Sequence, residues 1–213
     1  MDGGASRVSE PSILIGCEYS ATVRDAFRAA GFNAWSCDLK PCDRDNQWHF
    51  QFDVREAIRL NHWSLILLHL DCTAMAVCGN RHYGKGTPGH AARIEAVRWS
   101  AETTQLALQH CDRLAVENPA SVLFPALRKI GATVQYIQPW QHGHPEQKKT
   151  GLALWNLSQR VETDNVYEYM MTLPKAERER IFHMAPSVDR GHERSRFYTG
   201  FAAAMRDQWG PLL

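Results

Sequence analysis

The chain has 213 residues, 44% of them hydrophobic and 22% charged, and a formal net charge of +1. That length suits one well-buried domain and is short for two, and the composition excludes a disordered or collagen-like chain. The near-neutral charge gives no global electrostatic case for nucleic acid and leaves only a local basic face as a route to it.

The first residues, 1–10, are small and polar and read as a flexible tail, with 11–213 as a single domain. "SILIG", Ser12 to Gly16, reads as a buried strand ending on glycine. "SATVRDAFRAAGF" carries Val23, Ala26, Phe27 and Ala30 at helical spacing and stops at Gly31, and "NAWSCDL" is a second strand closing near Asp38. A strand, helix and strand of these lengths make a βαβ unit and predict a parallel sheet. "HFQFDV" predicts a third strand ending near Asp53, "REAIRL" a short helix, and "WSLILLHL" the most apolar strand. The loop from Cys72 to His90 precedes "AARIEAVRWSAETTQLALQH", which has the length of an amphipathic helix. "DRLAVENP" is then a strand closing on Glu117 and Asn118, "SVLFPALRKIG" a helix, and "ATVQYIQP" and "TGLALWNL" strands around the polar turn from Gly143 to Lys149. "LPKAERERIFHM" and "RSRFYTGFAAAMRDQWG" read as helices, a helical segment over about 170–210, separated by a turn containing Pro186, Asp189 and Gly191. The fold class expected is α/β, a Rossmann-like open, mostly parallel sheet with helices on both faces.

The longest apolar runs, Ile13 to Ile15 and Leu65 to Leu68, are too short to cross a bilayer or to form a signal-peptide core, so a cytoplasmic protein with no membrane partner is expected. The 6 cysteines form no regular framework and read as free thiols. No Cys-x-x-Cys pair occurs, so Cys72, Cys78 and His82, with Cys37 and Cys42, are not assigned to a metal.

Ligands of an open parallel sheet bind at the carboxyl ends of its strands. The residues expected there are Gly16 to Ser20, Asp38, Asp53, Asp71 with Cys72, and Glu117 with Asn118. The first group suits an adenosine-containing cofactor: a glycine turn allows close approach, and Asp38 follows Gly16 at about the ~20 residues of a ribose-binding acid. The second sets a thiol, Cys72, and an acid, Glu117, at the ends of different strands facing one cleft. Glycines in "CGNRHYGKGTPGH" allow a hinge, and Arg81, Tyr83 and Lys85 suit phosphate and base contacts.

In this order, glycine turn, acid, acid, cysteine loop and "ENP", the chain resembles the DNA cytosine carbon-5 methyltransferases, most closely the small methyltransferase-like proteins of phages and prophages. "LDC" stands where that family has Pro-Pro-Cys and "ENP" where it has Glu-Asn-Val. "HPEQKKTGLALW" looks like a variant of its Pro-Gln-x-Arg-x-Arg segment, with Lys148 and Lys149 in place of arginines, and "YTGFAAAMRDQW" resembles its closing helix. The resemblance runs from about Ile13 to Trp209 and implies a class I S-adenosylmethionine-dependent fold with no large target-recognition domain.

It also implies a mechanism and a partner. Cys72 attacks carbon 6 of a cytosine, Glu117 protonates nitrogen 3, carbon 5 takes a methyl group from S-adenosylmethionine, and Lys149 holds the pyrimidine or its phosphate. Gly16, Glu18, Tyr19, Ser20, Asp38 and Asp53 would bind the cofactor, and Asp71, Asn80, Arg81, Asn118 and Lys148 the substrate. DNA is the implied partner, with a pyrimidine nucleotide as the small-substrate alternative and host cytoplasm as the location of a phage-encoded protein. A homodimer is one assembly left open, as are another one-carbon donor and a non-catalytic binding protein on the same fold. Asp71 departs from the family pattern: a carboxylate beside the thiol disfavours the thiolate.

Overall fold

A computed structural model describes residues 10–185, 187 and 190–213. Residues 1–9 of the expected tail, and Pro186 and Asp189 of the expected turn, lie outside the described residues. The strands are β1 (Ser12–Gly16), β2 (Asn33–Cys37), β3 (His49–Phe50), β4 (Leu65–His69), β5 (Leu114–Pro119), β6 (Thr133–Ile137) and β7 (Thr150–Trp155). The helices are α1 (Thr22–Ala29), α2 (Val54–Arg59), α3 (Asn80–Tyr83), α4 (His90–Gln109), α5 (Phe124–Lys129), α6 (Tyr167–Thr172), α7 (Lys175–Arg178), α8 (Arg180–His183), α9 (Arg190–Ser195) and α10 (Thr199–Trp209).

The strands form one sheet in the order β3-β2-β1-β4-β5-β7-β6. β1 to β5 run parallel, and β7 lies antiparallel to both β5 and β6. The order reverses between β1 and β4, which sets a crevice at their carboxyl ends. This is a Rossmann-like open sheet, mostly parallel as the sequence predicts.

Strands covered on both faces must be apolar throughout. Ile13, Leu14, Ile15, Leu65, Ile66 and Leu68 are fully buried, and each such side chain contributes about 1.5–3 kcal/mol relative to exposure. On one face Val23 and Phe27 of α1 meet Phe201, Met205 and Trp209 of α10 over Ile13 and Ile15. On the other, Val54, Ala57 and Ile58 of α2 and Phe124 and Leu127 of α5 pack over Leu14, Ile66 and Val116. The expected apolar stripe of α4 is instead largely small and polar: Ser100, Thr103, Thr104 and Ala107 are buried, and Thr104 Oγ1 donates back to the Ser100 carbonyl. Small residues let α4 lie close against its neighbours, and internal hydrogen bonding offsets burial of the hydroxyl.

Four local expectations change, two of them near the C-terminus: Gly191, expected in a turn, lies in α9, and the helix expected over 194–210 breaks between Ser195 and Thr199. The third strand is short because the Asp53 carboxylate accepts from Arg55 N and starts α2 at Val54. The stretch expected as one helix after Leu173 divides at Glu179 into α7 and α8. Met170 of α6 and Ile181 of α8 are the buried apolar residues of these short helices. Among the described residues no helix is long and apolar enough to cross a membrane.

Candidate active site at the carboxyl edge of the sheet

At the end of β1, a Cβ on Gly16 would lie 2.5 Å from Val54 Cγ2 and 2.7 Å from Leu68 Cδ2. Glycine here is demanded by packing of β1 against α2 and β4. The backbone then turns left-handed at Cys17 and Ala21. Between them Glu18, buried, accepts from the backbone N–H of Val23 at 2.7 Å and of Arg24 at 3.2 Å. Its carboxylate therefore caps α1, where negative charge complements the helix dipole, and Ser20 Oγ donates to the same carboxylate.

Tyr19 shares a hydrogen bond with Ser195 Oγ at 2.8 Å, and Lys40 Nζ lies 4.5 Å from its ring centroid. Asp38 is half-buried beyond β2, and its Oδ1 accepts from Lys40 N. Asp53 pairs with Arg55 at 2.6 Å, and that guanidinium's hydrogen bond holds its carboxyl below the usual range. The Cys17 thiol is pushed far up by burial and then by Asp38, with Asp53 and Asp71 adding smaller contributions. Acids following three strands thus act on this one thiol.

Cys72 follows β4 on a tight turn in which its carbonyl accepts from Met75 N and Ala76 N. Asp71 Oδ1 accepts from Thr73 N and Thr73 Oγ1. Burial pushes the Cys72 thiol up to about 11, Glu117 and then Asp71 add to the rise, and Lys148 opposes it. Thiol and carboxyl are therefore electrostatic neighbours.

Glu117 sits on β5 directly opposite His69 on β4. Its Oε2 lies 3.4 Å from His69 Nδ1, and Phe197 stacks edge-on against the imidazole at 4.7 Å. Nothing in the sequence marked His69 except its place as the last residue of an apolar strand. Asn118, fully buried, donates Nδ2 to the Leu70 carbonyl and so ties the Cys72 loop to β5. It serves the backbone of the site and does not face an open surface.

The two lysines part company. Lys148 Nζ donates to the Arg194 carbonyl at 3.0 Å and lies 5.6 Å from the Tyr198 ring centroid, and its charge is the one felt at Cys72. Lys149 is exposed, 4.4 Å from the Tyr136 ring centroid. Side chains of successive residues in an extended segment point oppositely, so only one of the pair faces the thiol.

The loop after Cys72 is stitched down by a buried arginine of α4. Arg93 donates to the carbonyls of Ala74 and Ala76 and to Asn80 Oδ1. Asn80 thus holds the loop, while Arg81 beside it is exposed. From the C-terminal segment, Arg194, Ser195 and Phe197 reach Lys148, Tyr19 and His69 respectively, contacts that no sequence motif announced. Asp71 also borders a cavity of about 360 Å³ with Ala92, Glu95, Ala96, Trp99 and Ser100. Arg55 lies over the Trp99 ring at 5.4 Å, which links that cavity to Asp53. Among the described residues no three His, Cys, Asp or Glu side chains are grouped to hold a metal ion.

The sequence matches no protein-family model and no curated protein. The fold is similar to that of the Entamoeba histolytica methyltransferase EhMeth, with a TM-score of 0.45, 10% identity, and 73% of this chain and 57% of that chain covered. WbdD in complex with a kinase inhibitor gives 0.45 at 11% identity, covering 72% of this chain and 37% of that chain. The S. pombe Dnmt2 methyltransferase gives 0.43 at 15% identity, covering 79% and 56%. The chain spans about half the length of the structures it matches, or less. Similarity of this degree concerns the arrangement of the sheet and says nothing of substrate or chemistry.

Proposed function

We propose that the chain is an S-adenosylmethionine-dependent methyltransferase acting on carbon 5 of a cytosine, with DNA as the substrate class and a free pyrimidine nucleotide as the competing one. The observation that carries this reading is the pairing of Cys72 and Glu117. They stand at the ends of neighbouring strands, Glu117 is the strongest charge acting on the thiol, and Lys148 opposes it.

The rim of the sheet fits the cofactor in part. Asp38 is half-exposed at the end of β2, the position from which an acid binds ribose hydroxyls. The cavity beside Trp99 and Asp71 has the volume for a planar ring. Glu18 is committed to α1, Ser20 to Glu18, Tyr19 to Ser195 and Asp53 to Arg55, so the reading assigns the amino-acid part to the backbone after Gly16. Bound there, S-adenosylmethionine supplies an electrophilic methyl group.

The chain's own residues do the rest. The Cys72 thiol gives its proton to solvent and the resulting thiolate bonds to carbon 6 of the pyrimidine, while Glu117 delivers a proton to nitrogen 3, removing the charge that the attack creates. Loss of the carbon 5 proton to solvent afterwards expels the thiolate, and nitrogen 3 returns its proton to Glu117. Lys148 favours that thiolate against Asp71, and against Glu117 until Glu117 carries its proton. In duplex DNA the base must first leave the stack, and Arg81 is exposed next to the loop that would meet the displaced strand.

The high Cys72 value favours one rival, a non-catalytic binding protein on this fold. The deciding experiment incubates the protein with methyl-labelled S-adenosylmethionine and duplex DNA, single-stranded DNA or cytidine triphosphate, then digests and separates the nucleosides. Labelled 5-methylcytosine from either DNA supports the reading, and label in the triphosphate alone moves the substrate to nucleotides. Label in none, with the cofactor bound, leaves the binding protein.

A further inference from the structure

We infer that His69 is the positioning residue for Glu117, holding its carboxyl group by a hydrogen bond that strengthens as Glu117 gives up its proton. The inference rests on the proposed function above and deepens it. His69 and Glu117 are in register on adjacent parallel strands, so their side chains stand on the same face of the sheet. The approach of His69 Nδ1 to Glu117 Oε2 at 3.4 Å uses one imidazole nitrogen. The other, Nε2, is buried with no hydrogen-bond partner among the described residues, and Phe197 closes on the ring at 4.7 Å.

A protonated Nε2 would be a buried donor left unmade, the costlier state. The pair therefore settles with the proton on Nδ1, donated to Glu117 Oε2, and a bare Nε2. Oε1 is then the oxygen that carries the acidic proton toward nitrogen 3 of the base. As the bond from Cys72 Sγ to carbon 6 forms, that proton passes from Oε1 to nitrogen 3, and it returns when the thiolate leaves. His69 keeps its Nδ1 proton throughout. Its hydrogen bond goes from a neutral acceptor to a carboxylate at the moment the intermediate forms, and a charge-assisted bond is roughly twice as strong. Stabilisation that grows toward the intermediate lowers the barrier, whereas equal stabilisation of both states does not.

The test compares the full chain with His69→Leu and His69→Asn, measuring kcat, KM for a cytosine-containing oligonucleotide, and affinity for S-adenosylmethionine. Loss of one preorganised donor predicts a fall in kcat of about 10²-fold in His69→Leu with KM and cofactor affinity nearly unchanged. His69→Asn, whose amide nitrogen sits where Nδ1 does, should recover most of that loss. Equal losses in both variants, or losses shared by KM and cofactor affinity, would overturn the inference by reducing His69 to packing. A second readout does not depend on turnover: the imidazole ¹⁵N spectrum of the wild type should place the His69 proton on Nδ1, with a change in Glu117→Ala. A proton on Nε2, indifferent to Glu117, overturns the inference as well. If the wild type methylates no pyrimidine while the tautomer is as stated, the functional reading falls and the pairing stands.

Discussion

Asp71 Oδ1 accepts two hydrogen bonds from Thr73, one from its backbone N–H at 2.9 Å and one from its hydroxyl at 2.6 Å. This side-chain turn fixes the backbone next to Cys72, the task that proline has in the family the sequence resembles. It does so at an electrostatic cost, because the Asp71 charge helps to push the thiol up to about 11. Asp71→Asn keeps the acceptor and removes the charge, so the Cys72 value should fall and alkylation of Cys72 by iodoacetamide near neutral pH should quicken. Asp71→Ala should quicken it too but destabilise the fold by about 1 kcal/mol through loss of the turn. Mass-resolved alkylation of the Cys72 peptide and chemical unfolding read the two effects separately.

Lys148 acts on the thiol with the opposite sign. Removing a positive charge disfavours the thiolate, so Lys148→Met should raise the Cys72 value further and slow its alkylation, while Lys149→Met should leave the rate where it was. The same peptide-resolved assay across pH checks both variants side by side.

Arg93 joins three acceptors in the Cys72 loop to α4 while almost wholly buried. Arg93→Met keeps the apolar stem and strips every donor, so the half-buried Ala74 carbonyl and Asn80 Oδ1 lose this partner, while the buried Ala76 carbonyl keeps the Gly79 N–H. A loss of about 2–4 kcal/mol follows from hydrogen bonds to a charged group and orphaned acceptors. Asn80→Ala should cost about 1 kcal/mol on the same grounds. Urea unfolding measures both, and limited proteolysis should shift to sites between Thr73 and His90 in Arg93→Met.

His142 gives the fold an acid-sensitive point. Its ring is buried against Phe201 with Nδ1 on Thr163 Oγ1, and burial, with Arg160 adding to it, lowers its value from 6.5 to about 4. The unfolded chain binds a proton at this residue that the folded chain refuses. Stability is therefore intact above about 6.5 and falls as pH drops toward 4, by a total of about 3 kcal/mol. In His142→Gln that part of the pH dependence should vanish, as thermal melts at stepped pH would record.

The half of the fold that carries the site was legible because parallel strands buried on both faces leave apolar runs that few other elements produce, as in Leu65 to Leu68. Cys72 and Glu117 were legible as strand-end residues for the same reason. Glu18 was not: an acid in a glycine turn reads equally as a ligand contact or a cap, and only the backbone geometry at Ala21 makes it the cap. Lys148 and Lys149 differ by the pleat of the segment leading into β7, which a pair of identical letters hides. The stretch from Tyr167 to Phe197 formed no periodic stripe because α6 and α8 each bury few side chains, so its reach to Tyr19, Lys148 and His69 has no counterpart in the pattern of residues.

The most direct test of the Cys72 mechanism presents the protein with S-adenosylmethionine and an oligonucleotide containing 5-fluorocytosine, followed by intact mass under denaturing conditions. Fluorine at carbon 5 does not leave as a proton, so attack at carbon 6 followed by methylation traps the enzyme on its substrate. The account predicts a covalent adduct carrying one methyl group, absent in Cys72→Ser and strongly reduced in Glu117→Gln. An adduct that persists in Cys72→Ser, or methylation of ordinary cytosine with no adduct on the fluorinated base, would contradict it.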